Sequence, residues 1–449
     1  LSDRTAVVGA GIAGLSTALL LSRAGLRTEV HERDPAAPDH PAEAAAHTRA
    51  GAPQSRHPHI FLGLFRRQLR EHLPDVHDDL LRHGAEEVPL QSPGAGPDQV
   101  MIAARRGLVE WALSRALDRD GVPRRHGVTV RDLEVADGAV CGLRTDDAVH
   151  PARLVVDACG SRSQLARRYT TTVADVECGK VYNSRFYQLA EGVPRPPTRY
   201  GSVTVVDGLG FGAALFSHDN GSFSVDVGRL PEDGDLGDLR DTRAFERVLA
   251  LFPDFRPWLR PGAGTPVSEV VPMAGLRNVL RALSPDAPRG YVPLGDALCV
   301  TDPTFGRGAS LALAQAVILS QALAGAEDLP RAALRATRDT EAWLRPWFDD
   351  VVAQDTARTT LWRAAVADEP LEAVLAQLPP NPFMLLDAAP HDPELADAAG
   401  RYVSMLDTTL DTPDLRQRVA RLVPVLMTAA PAAAPPPSRS EVLKALAGD

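Results

Sequence analysis

The chain has 449 residues, 44% hydrophobic and 24% charged, with a formal net charge of −10 and an isoelectric point near 5.7. That length exceeds one small core and points to two or three lobes around a shared site. The acidic balance excludes the basic face that a nucleic-acid partner requires. Positive charge is almost all arginine, Lys180 and Lys444 being the only lysines. Cys141, Cys159, Cys178 and Cys299 are scattered without a CxxC pair, which argues against a metal cage or a disulfide framework. No apolar run is long enough to span a bilayer, and the first strand pattern starts close to Leu1, so the expectation is a cytoplasmic protein of a reducing compartment.

In chain order, Thr5–Val8 reads as a short buried strand, residues 9–14 as a glycine turn, and Leu15–Ala24 as a packed helix that Gly25 ends. Arg27–Glu32 reads as a second strand. A β-α-β unit of this kind implies a parallel sheet. Glycines at 9, 11 and 14 let the strand turn sharply, let backbone approach a pyrophosphate, and let helix and sheet pack closely. Glu32 follows at the roughly 20-residue spacing of an acid that binds ribose hydroxyls. The unit is therefore a dinucleotide site, without a choice between FAD and NAD.

Residues 34–56, rich in Pro, Ala and His, read as a loop over the surface or over a ligand. Helical patterns follow at Ile60–Leu73 and Leu108–Leu117, then strands around Val128–Leu143 and at Arg153–Asp157. Ser202–Val206, Phe211–Ser217 and Ser222–Arg229 alternate and are separated by glycine or Asp-Asn-Gly turns, the pattern of an antiparallel meander in a second lobe. After Tyr291–Asp296 comes a loop, then an apolar helix at Ala309–Ala324. Beyond about residue 330 the pattern is helical, with an Ala-Pro stretch at 429–437 read as a linker or tail.

The fold class expected is α/β. A Rossmann-like first part (1–175) is interrupted by an antiparallel β-sheet substrate domain (176–275) and resumes at 276–345. A C-terminal helical region (346–428) and a tail (429–449) follow. The segment Gly295-Asp296-Ala297 followed by Asp302-Pro303-Thr304-Phe305-Gly306-Arg307-Gly308 narrows the cofactor to FAD. An acid after a buried strand can bind a ribitol hydroxyl, and a helix starting near Gly308 turns its positive end toward the N1–C2=O edge of a flavin.

The fingerprint from Gly9 to Glu32, the Gly295-Asp296 segment with its Pro303-x-x-Gly306-x-Gly308 tail, and Arg106–Trp111 together resemble the group A flavin monooxygenases of the para-hydroxybenzoate hydroxylase fold. Ala52–His59 resembles the corresponding loop of the squalene-epoxidase-like bacterial branch. The resemblance implies FAD contacts at Gly9, Gly11, Ala13, Gly14, Glu32, Arg33, Arg56, Arg106, Asp296, Pro303, Gly306, Gly308 and Ala309. His57 and His59 belong to a loop that faces either flavin or substrate. It also implies an enzyme whose reduced flavin forms a C4a-(hydro)peroxide with molecular oxygen and hydroxylates or epoxidises a small, largely apolar substrate. The composition, with positive charge nearly all arginine and with high Ala and Pro, suggests a bacterial source and a specialised-metabolite step. Phe211, Phe223, Met273 and Phe305 are the expected apolar wall of that substrate's cavity.

The sequence departs from the family after the strand Leu154–Asp157. Cys159 stands where the family carries an Asp that serves FAD and the nicotinamide donor. NADPH or NADH then reduces the flavin either directly or through a separate flavin reductase. Two other readings of the motifs are a geranylgeranyl-reductase type of alkene reductase or dehydrogenase, and a flavin-dependent halogenase. The halogenase reading lacks its Trp-x-Trp-x-Ile-Pro segment and a lysine near the end of the first third of the domain.

Overall fold

A computed structural model describes residues 4–91, 95–379, 381–387, 390–408, 410, 412–428 and 435–448. The chain begins with β1 (Arg4–Val8), α1 (Ile12–Arg23) and β2 (Arg27–His31). Nine of the twelve residues of α1 are buried, because helices cover it on one side and the sheet on the other. Next come α2 (Arg106–Arg119), β3 (Arg124–Arg125) and β4 (Leu154–Asp157). The inserted sheet contains β5 (Val181–Leu189), β6 (Val203–Asp207), β7 (Phe211–Ser217), β8 (Ser222–Arg229), β9 (Gly264–Pro266) and β10 (Val271–Met273). The chain then returns through β11 (Tyr291–Pro293), α3 (Gly308–Leu323) and α4 (Leu329–Val366), and ends in α5 (Arg439–Ala447).

The first sheet runs β11-β4-β1-β2-β3 with every neighbouring pair parallel. Its connections leave β1 toward β2 on one side, while β4 and β11 lie on the other. Gly9, just past the end of β1, therefore opens onto the crevice where the strand order reverses, the place where doubly wound sheets bind ligands. Thr170–Glu177 and Arg277–Leu283 pair antiparallel and carry the chain into and out of the insert.

The insert is an antiparallel sheet in the order β6-β7-β8-β5-β9, with β10 also pairing β5. Asn220 at φ +53° and Gly221 at φ +71° make the tight turn between β7 and β8. Period-two alternation assigns the two faces. Phe211, Leu215, Phe223 and Val225 point to a core shared with Phe245 and Trp258. Tyr182, Ser184, Phe186, Ser222, Ser224 and Asp226 occupy the alternate positions and face the first sheet's crevice.

This corrects the expected substrate wall. Phe211 and Phe223 are wholly buried in the far-side core, with Phe223 stacked on Tyr187 at 5.0 Å. Phe223→Ala is accordingly expected to cost about 3–5 kcal/mol in denaturant unfolding. Ser222→Ala on the opposite face should cost far less, and a near-neutral Phe223→Ala would return that ring to the ligand side.

The long helix α4 contains Pro346, whose missing N–H is accommodated inside a helix that packs on α3. It braces the loop ahead of α3 from behind: Asp350 meets Arg307 at 2.7 Å and Arg358 meets Asp302 at 3.0 Å. Of the expected tail, residues 429–434 and 449 lie outside the described residues. Residues 439–447 form α5, which starts at a capping box of Ser438 and Glu441 and buries Val442 and Leu446 in the insert's core. Arg439 pairs with Asp233 at 2.6 Å, and Arg247 donates to the carbonyls of Ala445 and Leu446. Among the described residues no helix is long and apolar enough to cross a membrane.

Candidate cofactor and substrate site

The glycine turn is built by close approach. Gly9 has φ +105°, and a Cβ there would lie 2.5 Å from the carbonyl oxygen of Ala158. A Cβ on Gly14 would lie 1.8 Å from the carbonyl oxygen of Gly9, so α1 can meet the strand only without a side chain. Gly11 faces the crevice, where its nearest neighbour would be the guanidinium of Arg106. The Glu32 carboxylate accepts from Ala10 N at 2.6 Å and from Asp34 N at 2.8 Å, which fixes it beside the turn.

Arg49 was not among the expected site residues. Its guanidinium reaches Glu32 at 2.7 Å, Glu110 at 3.2 Å and Asp34 at 3.3 Å, and donates to the Ala10 carbonyl at 2.7 Å. Burial works against its charge, but Glu110 and Glu32 outweigh it and hold the guanidinium's pKa above its usual value. The result is a guanidinium fixed beside the amino end of α1 with its charge taken up by three carboxylates, so the N–H groups of that helix end are the feature that suits a diphosphate. A lone arginine in a Pro- and Ala-rich loop has no periodic neighbours to announce it, so only proximity reveals it.

Arg106 opens α2, pairs with Glu110 at 2.8 Å, and approaches His59 Nε2 at 3.5 Å. Gly295, at φ +65°, presses on Ala13 of α1, and its N–H donates to Gln315 at 2.9 Å. Asp296 is thereby placed toward Arg106, although its carboxylate makes no hydrogen bond among the described residues. Burial pushes its pKa up, only partly offset by Arg106 and Arg281. Gly306, also left-handed, lies against Ile60, where a Cβ would come within 1.9 Å of the side chain. Nothing lies within 4 Å of a Cβ on Gly308, so the amino end of α3 opens onto free space. Ala309 follows in the first turn and packs on the first core, while Pro303 is exposed ahead of it.

Gly9, Gly11, Ala13, Gly14, Glu32, Arg106, Asp296, Gly306 and Gly308 thus converge from distant segments. Arg33 stays at the rim, with only a 3.4 Å contact to the Gly51 carbonyl. These residues fit FAD: an acid and a fixed arginine beside the glycine turn, an unpartnered carboxylate midway, and an open helix amino end. Cys159, just past the end of β4, is exposed at the surface and its thiol donates to the Val8 carbonyl at 3.5 Å.

A cavity of about 350 Å³ lies between the loop 45–59, the start of α2 and the insert. Arg56, His57, His59 and Arg106 line one side, and Phe186, His218, Val267 and Val271 the other. His57 Nδ1 meets Ser184 Oγ at 2.8 Å, and His218 Nε2 meets Ser224 Oγ at 2.7 Å. Burial lowers both imidazoles to a pKa of about 4, so they are neutral near pH 7. Met273 and Phe305 are not on this wall. Met273 pairs with Tyr182 along β5, and Phe305 lies against the guanidinium groups of Arg307 and Arg358.

A family model described as FAD dependent oxidoreductase matches residues 4–97. The Mycobacterium tuberculosis protein Rv3254 is 26% identical to the chain over 92% of each. Among solved structures, the myxobacterial chondrochloren halogenase CndH superposes with a TM-score of 0.64 at 16% identity, over 92% of this chain and 99% of its own. PqsL, a probable FAD-dependent monooxygenase from Pseudomonas aeruginosa, gives 0.61 at 17% identity over 81% and 99%. The fold is therefore that of the para-hydroxybenzoate hydroxylase-like flavoproteins, shared by monooxygenases and halogenases. The chain is an FAD-dependent oxidoreductase.

Proposed function

We propose that the protein oxygenates a small organic substrate held in the cavity between the FAD crevice and the insert. The cavity itself carries this reading: its volume of about 350 Å³ suits a small molecule, and it adjoins Arg106 beside the glycine turn. Bound FAD, once reduced, supplies the electrons that activate dioxygen.

Glu32 would hold the adenosine ribose, the amino end of α1 the diphosphate, and Asp296 the ribitol. The open start of α3 would face the pyrimidine edge of the ring. Neutral His57 and His218 keep the cavity wall polar without adding charge, while Phe186 and Val271 add apolar surface beside them. Hydroxylation and epoxidation both fit this arrangement, and the loop resemblance at residues 52–59 favours an alkene or aromatic acceptor. The arginine-, Ala- and Pro-rich composition fits a bacterial specialised-metabolite substrate.

Cys159 replaces the acid that serves the nicotinamide donor in the resembling family, so a partner flavin reductase is the expected electron source. Under anaerobic conditions NADPH or NADH alone should bleach the bound flavin slowly, and added reductase should do so fast. On admission of air, oxygen uptake should match product. Fast bleaching by NADPH alone would refute the partner, and saturation of a substrate double bond without oxygen uptake would favour the alkene reductase. The likeness to CndH supports halogenation as a second reading, which product mass with chloride or bromide present would reveal.

A further inference from the structure

Three histidines line the cavity, His57, His59 and His218, and the groups behind them fix where each carries its proton. Ser184 on β5 and Ser224 on β8 are wholly buried. Each hydroxyl has one partner among the described residues, His57 Nδ1 at 2.8 Å and His218 Nε2 at 2.7 Å. An imidazole N–H pointed at either serine would leave the serine's own O–H buried with nothing to donate to, which is costly. The serines therefore donate, and the ring nitrogens they reach are lone pairs. Burial keeps both rings neutral, so the proton of His57 sits on Nε2 and that of His218 on Nδ1. His59 is settled from the other side. Its Nδ1 lies 3.0 Å from the His57 carbonyl, which can only accept, so Nδ1 carries the proton and Nε2 turns a lone pair toward Arg106.

One imidazole N–H is then left free. His218 Nδ1 is sealed off from the cavity, beside the Ala104 backbone. His59 spends its proton on His57. His57 Nε2 has no partner among the described residues and is not among the sealed atoms, so it opens onto the cavity that His57 lines. The neighbouring polar groups are committed: Arg105 to Asp219, Arg106 to Glu110, and Ser268 Oγ to Phe186 N and the Glu269 carbonyl, both at 2.9 Å. Arg56 and the Glu269 carboxylate are exposed, at the mouth. The interior thus offers one neutral donor. Beside it the His218 ring stacks on Phe186 at 5.5 Å and 26°, which gives the insert's side of the cavity a flat aromatic surface.

We propose that His57 Nε2–H anchors the substrate by donating to a carbonyl oxygen, and that the substrate is a planar, uncharged carbonyl compound. This rests on the cavity reading above. A carbonyl needs only a donor, whereas a hydroxyl or an amine brings a proton for which this ring has no lone pair left. The direction of the N–H is set in advance: Ser184 holds the ring from behind, and Tyr182 meets it edge-on at 5.4 Å.

The test compares acetophenone with ethylbenzene, its counterpart without oxygen, each titrated into the FAD-loaded protein and followed by ligand-observed NMR. His57→Phe should lower the preference for the ketone by about 3–10-fold, the worth of one neutral hydrogen bond. His57→Gln, whose amide still donates, should keep most of it. In the wild type, the ring-nitrogen NMR shifts of the histidine whose signals vanish in His57→Gln should show a bare Nδ1 and a protonated Nε2. The reverse tautomer would overturn the proposal, and so would an unchanged preference in His57→Phe. A donor aimed at a flavin carbonyl instead would leave the preference intact and weaken FAD retention in His57→Phe, which also overturns it. Failure of both probes to bind the wild type, with the tautomer as expected, would defeat the cavity reading itself and the proposal with it.

Discussion

Asp219→Ala is expected to cost about 3–5 kcal/mol of unfolding free energy, as much as truncating a core phenylalanine. The Asp219 side chain is wholly buried at the β7–β8 turn and takes both arms of Arg105, at 2.5 and 3.1 Å, as well as the Arg105 N–H at 2.6 Å. It ties the insert to the residue that precedes α2. Removing it leaves the half-buried Arg105 guanidinium without its partner.

Burial alone would raise the Asp219 pKa, but the hydrogen bonds and charge of Arg105 outweigh burial and lower it. A folded-state pKa below the unfolded value means that the contribution is present above the ordinary carboxylate range and is lost as pH falls through the folded value. Denaturant midpoints of wild type and Asp219→Ala should therefore converge toward acid. A constant gap between pH 7 and pH 3 would contradict the assignment.

The second large effect separates stability from affinity. Asp296→Ala should weaken FAD binding by about 10–100-fold, the worth of a hydrogen bond to a charged group, while leaving the FAD-free protein as stable as wild type or more so. The carboxylate lacks a protein partner and is destabilised by burial. Removing it thus costs no contact within the described residues. Equal FAD retention, measured by equilibrium dialysis, would show that Asp296 does not hold the ribitol. A fall in the Tm of the FAD-free protein would show that it has a structural role.

The glycine turn and the parallel unit were legible because backbone constraints leave their mark in residue identity: only glycine fits at 9 and 14. The meander was legible from its period-two alternation, but that period does not say which face meets the cofactor. Phe211 and Phe223 suit a ligand wall by being apolar, whereas the larger apolar core, which takes them both, lies on the far side. The cofactor-facing side is marked instead by polar residues that are buried, Ser222, Ser224 and Asp226, and burial is invisible in sequence. Arg49 depends on the folding of an irregular loop against Glu32 and Glu110. Helix α5 carried a readable signal, Ser438 three residues before Glu441, which the Ala-Pro composition around it obscured.

The purified protein should be yellow and should release FAD, at close to one per chain, when it is denatured and the supernatant is analysed by absorbance and chromatography. A colourless protein that takes up no FAD on reconstitution, with its fold intact by circular dichroism, would contradict the assignment of the crevice.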